Sequence, residues 1–225
     1  MGYGFLKLLE FIKECIFEVI YDGKSHCIIC ERYLEESGLC DECKRYIVLS
    51  HNVYTMRCLD KLVNCYSAAY YTGTMMELIR RLKYKSDFKS GEIIAYYMKD
   101  RIRNFIYDID FITYVPMTKK SLKLRGYNQS KFLCNLLSKE FNIPVINCLT
   151  KTKETKDQIG LSQEQRWENM KDCFKIKKSQ MLKNKKVLLV DDVFTTGATA
   201  YFCSYELIKC GVEKINILTA AKSKV

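Results

Sequence analysis

The stretch Val187-Leu188-Leu189-Val190-Asp191-Asp192-Val193-Phe194-Thr195-Thr196-Gly197-Ala198-Thr199 limits the folds open to this chain more than any other. Four successive apolar residues read as a strand buried on both sides, and such strands belong to parallel sheets covered by helices. Two carboxylates follow at its C-terminal end, where open α/β sheets bind ligands. The small and hydroxylated residues Thr195, Thr196, Gly197, Ala198 and Thr199 then turn the chain into a helix. Backbone N–H groups in such a turn can close on an anion, and the helix N-terminus adds positive potential. Threonine hydroxyls add donors, and a hydrogen bond to a charged group is worth roughly 1.5–3 kcal/mol. The two acids cannot face that anion. They suit the hydroxyls of a sugar, or a Mg²⁺ that bridges it. No Gly-Lys-[Ser/Thr] follows, so the turn is not a Walker loop.

The remaining periodicity agrees with an α/β fold. Helices are expected over 74–85, 91–105 and 126–141, and from the turn to about 209, where Gly211 stops the last one. Strands are expected over 109–115, 143–146, 186–190 and 214–219, with 151–156 a polar loop. Strands alternating with helices imply a mainly parallel sheet with helices on both faces. This domain should occupy 51–225. Residues 1–21 carry Phe5, Leu8, Leu9, Ile12, Ile16 and Val19 at helical spacing and are expected to form an amphipathic helix. Lys7, Glu10, Lys13, Glu14 and Glu18 interrupt it, so neither a membrane span nor a secretory leader is expected.

Residues 22–50 are short of periodicity and rich in cysteine. Of the twelve cysteines in the chain, Cys27/Cys30 and Cys40/Cys43 form two C-x2-C pairs. Each such turn sets two sulfurs on one side of a tight knuckle, and two knuckles complete a tetrahedral shell at about 2.3 Å per sulfur. Four thiolates leave no open position, so a structural zinc is expected. His26 adjoins a ligand and could replace one thiolate, although a supporting or solvent-facing place suits it better. The other cysteines show no ligand spacing. Without a leader the expected setting is cytoplasmic, where thiols stay reduced.

Charge adds a second constraint. Lys and Arg number 37 against 26 Asp and Glu, a net +11, which favours polyanionic partners. Three stretches are basic: Arg80, Arg81, Lys83, Lys85 and Lys89; then Lys119, Lys120, Lys123, Arg125 and Lys131; then Lys175, Lys177, Lys178, Lys183, Lys185 and Lys186. With Tyr84 and Phe88 interleaved, these could track single-stranded DNA, the backbone held by cations and bases stacked on rings. Lys119, Lys120, Lys123 and Arg125 are the first candidates.

The acid–turn segment resembles the phosphoribosyl pyrophosphate signature of type I phosphoribosyltransferases. The resemblance extends along nearly the whole chain to the ComF family of competence proteins. It is carried by the four-cysteine module, Leu82-Lys83-Tyr84, Val115-Pro116, Arg125-Gly126-Tyr127-Asn128-Gln129, Thr155-x-x-Gln158, Arg166, Asn169 and Phe174. It implies a phosphoribosyltransferase-like fold behind an N-terminal zinc finger, and a part in DNA uptake during natural transformation alongside other competence proteins. It also implies that Thr195 to Thr199 grip the 5′-phosphate and that Asp191 and Asp192 reach the ribose hydroxyls as the catalytic pair. Met117, Thr118 and Lys119 would hold pyrophosphate, and 151–158 would be the mobile loop. Thr118 stands where relatives often have a second proline, and Lys151 and Lys153 where they have arginine, which removes the bidentate fork. Two functions are compatible with these residues. One is a Mg²⁺-dependent pentosyl transferase using phosphoribosyl pyrophosphate. The other is a non-catalytic single-stranded DNA-binding competence factor with a vestigial or sensing phosphoribosyl site.

Overall fold

The computed structural model describes residues 25–36, 38–154, 163–177 and 179–223. The helix expected over 1–21, Thr155 and Gln158 lie outside the described residues. The chain divides into two compact units, Met1–Lys44 and Arg45–Val225. Residues 45–50, grouped from the sequence with the cysteine module, lie in the second unit. There Ser50 N–H donates to the Ala68 carbonyl at 3.0 Å and Tyr70 N–H to that of Val48 at 2.8 Å.

In the first unit, β1 (Ser25–His26) pairs antiparallel with β2 (Tyr33–Leu34), and α1 (Asp41–Arg45) follows. Asp41 and Glu42 in the first turn of α1 complement its dipole.

The second unit runs β3 (Tyr54–Cys58), β4 (Lys61–Tyr70), α2 (Gly73–Lys85), α3 (Phe88–Ile102), β5 (Phe111–Tyr114), α4 (Lys119–Arg125) and α5 (Gln129–Phe141). It continues through β6 (Leu149–Lys151), α6 (Gln163–Met170), β7 (Phe174–Ile176), β8 (Lys186–Phe194), α7 (Ala198–Lys209) and β9 (Lys214–Lys222). Five strands form one sheet in the order β3-β4-β9-β8-β5. All its pairs are parallel except β3 with β4. The strands β6 and β7 form a separate antiparallel pair.

Strand β8 sits between β9 and β5, and Val187, Leu188, Leu189 and Val190 are all buried. Successive side chains alternate faces. Val187 and Leu189 join Ile215 and Ile217 of β9, Cys203 and Leu207 of α7 and Phe174 of β7 in one core. Across the sheet α3 packs on β4 and β9, and α5 on β8 and β5. Helices therefore cover both faces, as the alternating pattern implies. Among the described residues no helix is long and apolar enough to cross a membrane.

Several boundaries differ from expectation, each for a local reason. The helix expected over 126–141 begins only at Gln129, because Asn128 adopts extended backbone and its side chain accepts from Lys131 N–H at 2.9 Å. Before it stands an unexpected helix, α4, capped by Thr118 at its start and closed by Gly126 at φ 83°. Of the strand expected over 143–146, Val145 makes a single bridge to Ile112. Strand β8 continues through both acids to Phe194 instead of ending at Val190. The β3–β4 hairpin and the β6–β7 pair were not expected.

Candidate functional site

Because β8 runs on through Asp191 and Asp192, the two carboxylates leave the strand from consecutive positions and acquire different surroundings. Asp192 is turned to the helical layer formed by α2 and α5. Its Oδ2 receives the Lys83 ammonium at 2.8 Å and the Gln129 amide at 2.7 Å. Gln129 is held in turn by Arg125, whose Nη1 donates to Oε1 at 2.7 Å. The Arg125 guanidinium lies 5.7 Å from the Tyr84 ring centroid, a cation–π distance. Asp191 Oδ1 accepts from the Ser130 hydroxyl at 2.9 Å and from the backbone N–H of Asp192 at 2.9 Å. Asp191 Oδ2 and Asp192 Oδ1 have no hydrogen-bond partner among the described residues.

These surroundings set the charges. Burial, reinforced by the neighbouring Asp192 charge, pushes the Asp191 carboxyl up to about 7. Burial works to lower the Lys83 ammonium, but Asp192 and then Asp191 outweigh it and hold it above the usual lysine value. Burial also lowers Lys151.

The turn beyond the acids is built for backbone donors. Gly197 caps α7 at φ 80°, a conformation that glycine adopts without penalty. A Cβ there would meet the Phe194 ring at 3.0 Å. The Thr196 hydroxyl accepts from Ala198 N–H at 3.4 Å, and Tyr201 N–H begins the helical ladder on the Gly197 carbonyl at 2.8 Å. Among the described residues the N–H groups of Thr199 and Ala200 have no backbone or side-chain acceptor.

The structure distributes the sequence candidates over two neighbouring recesses. Asp191, Thr195, Gly197 and Thr199 line a narrow one with Val115 and Phe194. Met117, Thr118, Lys119 and Lys120 line a cleft of about 990 Å³ with Tyr127, Lys131, Lys151 and Lys177. The segment after β5 separates them: Val115 faces the first and Pro116 the second. Asn128 braces that segment, its amide donating to the Val115 carbonyl at 3.0 Å. Asp192, Thr196, Ala198, Lys123 and Arg125 line neither recess. In the basic stretches, Lys83 is paired with Asp192, Arg81 lies 3.4 Å from Glu77, Lys185 lies 3.3 Å from Asp110 and Lys186 lies 2.6 Å from Asp108.

Lys83, Gln129 and Ser130 are site residues that the sequence did not single out as such. Gln129 and Lys83 belong to the two short motifs noted above, Arg125 to Gln129 and Leu82 to Tyr84. Folding brings those motifs together on Asp192.

In the first unit, Cys27, Cys30, Cys40 and Cys43 offer four sulfurs all within 4.8 Å of one another. The Cys30 and Cys40 sulfurs are 3.6 Å apart. A tetrahedron with bonds of about 2.3 Å has edges of about 3.8 Å, so these residues fit a zinc ion. The Cys43 N–H points to the Cys40 sulfur at 3.4 Å, which orients that thiolate. His26 instead sets its ring edge-on to Tyr33 at 6.0 Å.

No family model matches the chain. Several characterised proteins do. The chain is 30% identical over 224 residues to competence protein F of Haemophilus influenzae, covering 88% of this chain and 96% of that protein. It is 27% identical to competence protein ComFC of Bacillus subtilis, over 82% of this chain and 72% of the relative. It is 27% identical to the DNA utilization protein YhgH of Escherichia coli, over 85% and 87% respectively. Similar solved structures include a purine phosphoribosyltransferase from Pyrococcus horikoshii, 20% identical with a TM-score of 0.36 over 58% of this chain and 71% of that one. Another is the glutamine phosphoribosylpyrophosphate amidotransferase of B. subtilis, 15% identical with a TM-score of 0.38 over 76% and 32%. With 30% identity across almost the full length of competence protein F, and with the four-cysteine cluster and the acid–turn segment both in place, the chain belongs to the ComF family of competence proteins.

Proposed function

We propose that the chain binds phosphoribosyl pyrophosphate at the turn after β8 and acts in DNA uptake or utilisation. The observation that carries the ligand reading is the start of α7, where Thr199 and Ala200 keep unpartnered N–H groups beside the Thr195 and Thr196 hydroxyls. Such a nest suits a dianionic 5′-phosphate. Asp191 Oδ2 and Asp192 Oδ1 are left to accept from the ribose hydroxyls. Met117, Thr118 and Lys119, which line the neighbouring cleft, would take the pyrophosphate. The DNA role follows from the relatives, one named for DNA utilization and two for competence.

If the chain transfers the pentosyl group, the C1–pyrophosphate bond breaks with oxocarbenium character and an acceptor nitrogen takes C1. Mg²⁺ carried on the pyrophosphate would neutralise the departing charge. Lys119 and Lys151 would stabilise the same oxygens from the protein side. In the other unit a zinc ion held by Cys27, Cys30, Cys40 and Cys43 would have a structural role, in a reducing, cytoplasmic setting.

A second reading, single-stranded DNA binding with or without catalysis, is favoured by the larger cleft. Lys119, Lys120, Lys131 and Lys177 face it without an acidic partner among the described residues, and the Tyr127 hydroxyl there is buried with no hydrogen-bond partner.

Calorimetry with phosphoribosyl pyrophosphate and Mg²⁺ tests the first reading. Binding is expected for the native chain, and Thr196→Asp should abolish it by setting a charge against the phosphate. Undiminished affinity in that variant would move the site elsewhere. A fluorescent oligonucleotide tests the second. Affinity should fall with salt at a log–log slope of about −0.7 per phosphate contacted. No binding at low salt would leave a small-molecule protein.

A further inference from the structure

We propose that Lys83 is the resident cation of the acid pair, a positioning residue that neutralises Asp192 and takes the place a divalent metal ion would otherwise hold there. The idea that Asp191 and Asp192 ligate Mg²⁺ directly does not fit the geometry. Mg²⁺ demands near-octahedral oxygen ligands at about 2.0–2.1 Å and gives up its water reluctantly. Asp192 Oδ2 already accepts two donors, the ammonium at 2.8 Å and the Gln129 amide at 2.7 Å. A metal ion on that oxygen would have to displace both and then stand beside a captive positive charge.

The lysine is not free to swing away. Its side chain is 20% exposed and that of Asp192 8%. Two sequence-distant motifs lock the arrangement. Arg125 fixes the carbonyl end of Gln129 at 2.7 Å, which directs the amide nitrogen to Asp192. Arg125 also lies over Tyr84, the residue after Lys83. Removing the partner from a buried pair leaves an uncompensated charge, so the ion pair holds itself closed.

The arrangement has a chemical use, which rests on the phosphoribosyl reading above. Two bare carboxylates next to an anion-binding turn would repel the phosphate that the turn collects. With Lys83 included, at most one negative charge remains at the acid pair. Its free edges are then hydroxyl acceptors of low net charge. Lys83 thus lets a sugar-recognising acid pair and a phosphate-recognising turn stand side by side without a metal bridge.

The test uses the full chain with its zinc site loaded, and Mn²⁺ as the probe. Electron paramagnetic resonance should show free Mn²⁺ unchanged by the native protein, with no site that Asp191→Asn or Asp192→Asn removes. Lys83→Met should gain a Mn²⁺ site, and Asp191→Asn in the same chain should remove it. Lys83→Arg, which keeps the charge, should behave as the native protein does. A second arm measures ribose 5-phosphate, which lacks pyrophosphate, by calorimetry. Native affinity should agree within about twofold in resin-treated buffer free of divalent ions and in Mg²⁺. Lys83→Met should weaken it at least about tenfold in the resin-treated buffer and recover part of that in Mg²⁺. Mn²⁺ bound by the native acid pair, or no Mn²⁺ gained by Lys83→Met, would overturn the proposal. So would native-like affinity of Lys83→Met in the resin-treated buffer. Should the native chain bind no ribose 5-phosphate, the ligand reading fails, while the Mn²⁺ arm still decides what occupies the acid pair. Should Lys83→Met not fold, the native and Lys83→Arg measurements decide it.

Discussion

Asp191 and Asp192 are alike on paper and unlike in the fold. Asp192 has an ammonium and an amide on one oxygen; Asp191 has a hydroxyl and a backbone N–H. Burial and the neighbouring carboxylate hold Asp191 near 7, above its value in an unfolded chain. The folded state therefore binds the proton more tightly than the unfolded one, and stability falls as pH rises from the unfolded value through 7. Asp191→Asn removes this dependence. The variant should melt above the native protein at pH 8, with the gap closing as pH falls toward 4, in thermal scans buffered at each pH. A gap independent of pH would mean that Asp191 ionises normally. Nothing in the sequence distinguishes the two acids, because the difference comes from which face each leaves the strand. Lys83 was concealed for a related reason. It reads as one cation in a basic stretch, yet it stands four residues after the buried Ile79 and directly after the buried Leu82, at the edge of the helix stripe that faces the sheet. That offset was the available signal.

At the scale of elements, the central strands and long helices were legible because a continuous apolar run and a 3.6-residue stripe each have one structural meaning. The short elements were not. Helix α4 is seven residues long with none buried, so it carries no apolar face to read. The β6–β7 strands have three residues each, too few for alternation to emerge. Strand β8 outruns its apolar core because the acids at its end are stabilised by partners from other elements. Asn128 shows how a single residue sets where a helix begins. Its side chain caps α5 and holds the Val115 carbonyl at the mouth of the site. Asn128→Ala loses a cap and leaves a carbonyl short of a donor. It should destabilise the chain by about 1–2 kcal/mol in urea denaturation. A change within about 0.3 kcal/mol would show that α5 is held by packing alone.

The whole molecule is two units with different sources of stability. The larger has a two-faced sheet core. Among the described residues the smaller has two strands of two residues, one short helix and four clustered sulfurs. A zinc ion held by those sulfurs would be its main source of order, as in other small metal-bound modules. One zinc per chain is expected by elemental analysis of protein purified without added metal. Cys27→Ser should abolish that zinc and melt the first unit, with the sheet signal in circular dichroism largely kept. Substoichiometric zinc, or visible iron–sulfur absorbance, would contradict this. The ligand spacing made this unit readable from sequence, since a C-x2-C pair brings its own geometry. The acid-pair network was less readable because it is assembled from three distant stretches.

That assembly has a consequence for how the chain reaches its native state. The donors to Asp192 and Asp191 come from 63 and 61 residues earlier in the chain, and Lys83 from further back still. Every parallel pairing around β8 is likewise non-local, a topology that slows folding because loops must close before contacts reward them. The acid pair therefore acquires its counter-charge only once β8 has docked between β5 and β9. Until β8 is in place, Lys83, the Gln129 amide nitrogen and the Ser130 hydroxyl lack the carboxylates they bind in the folded chain. The acid-pair network is thus a property of the whole sheet, complete only when all three stretches are in place.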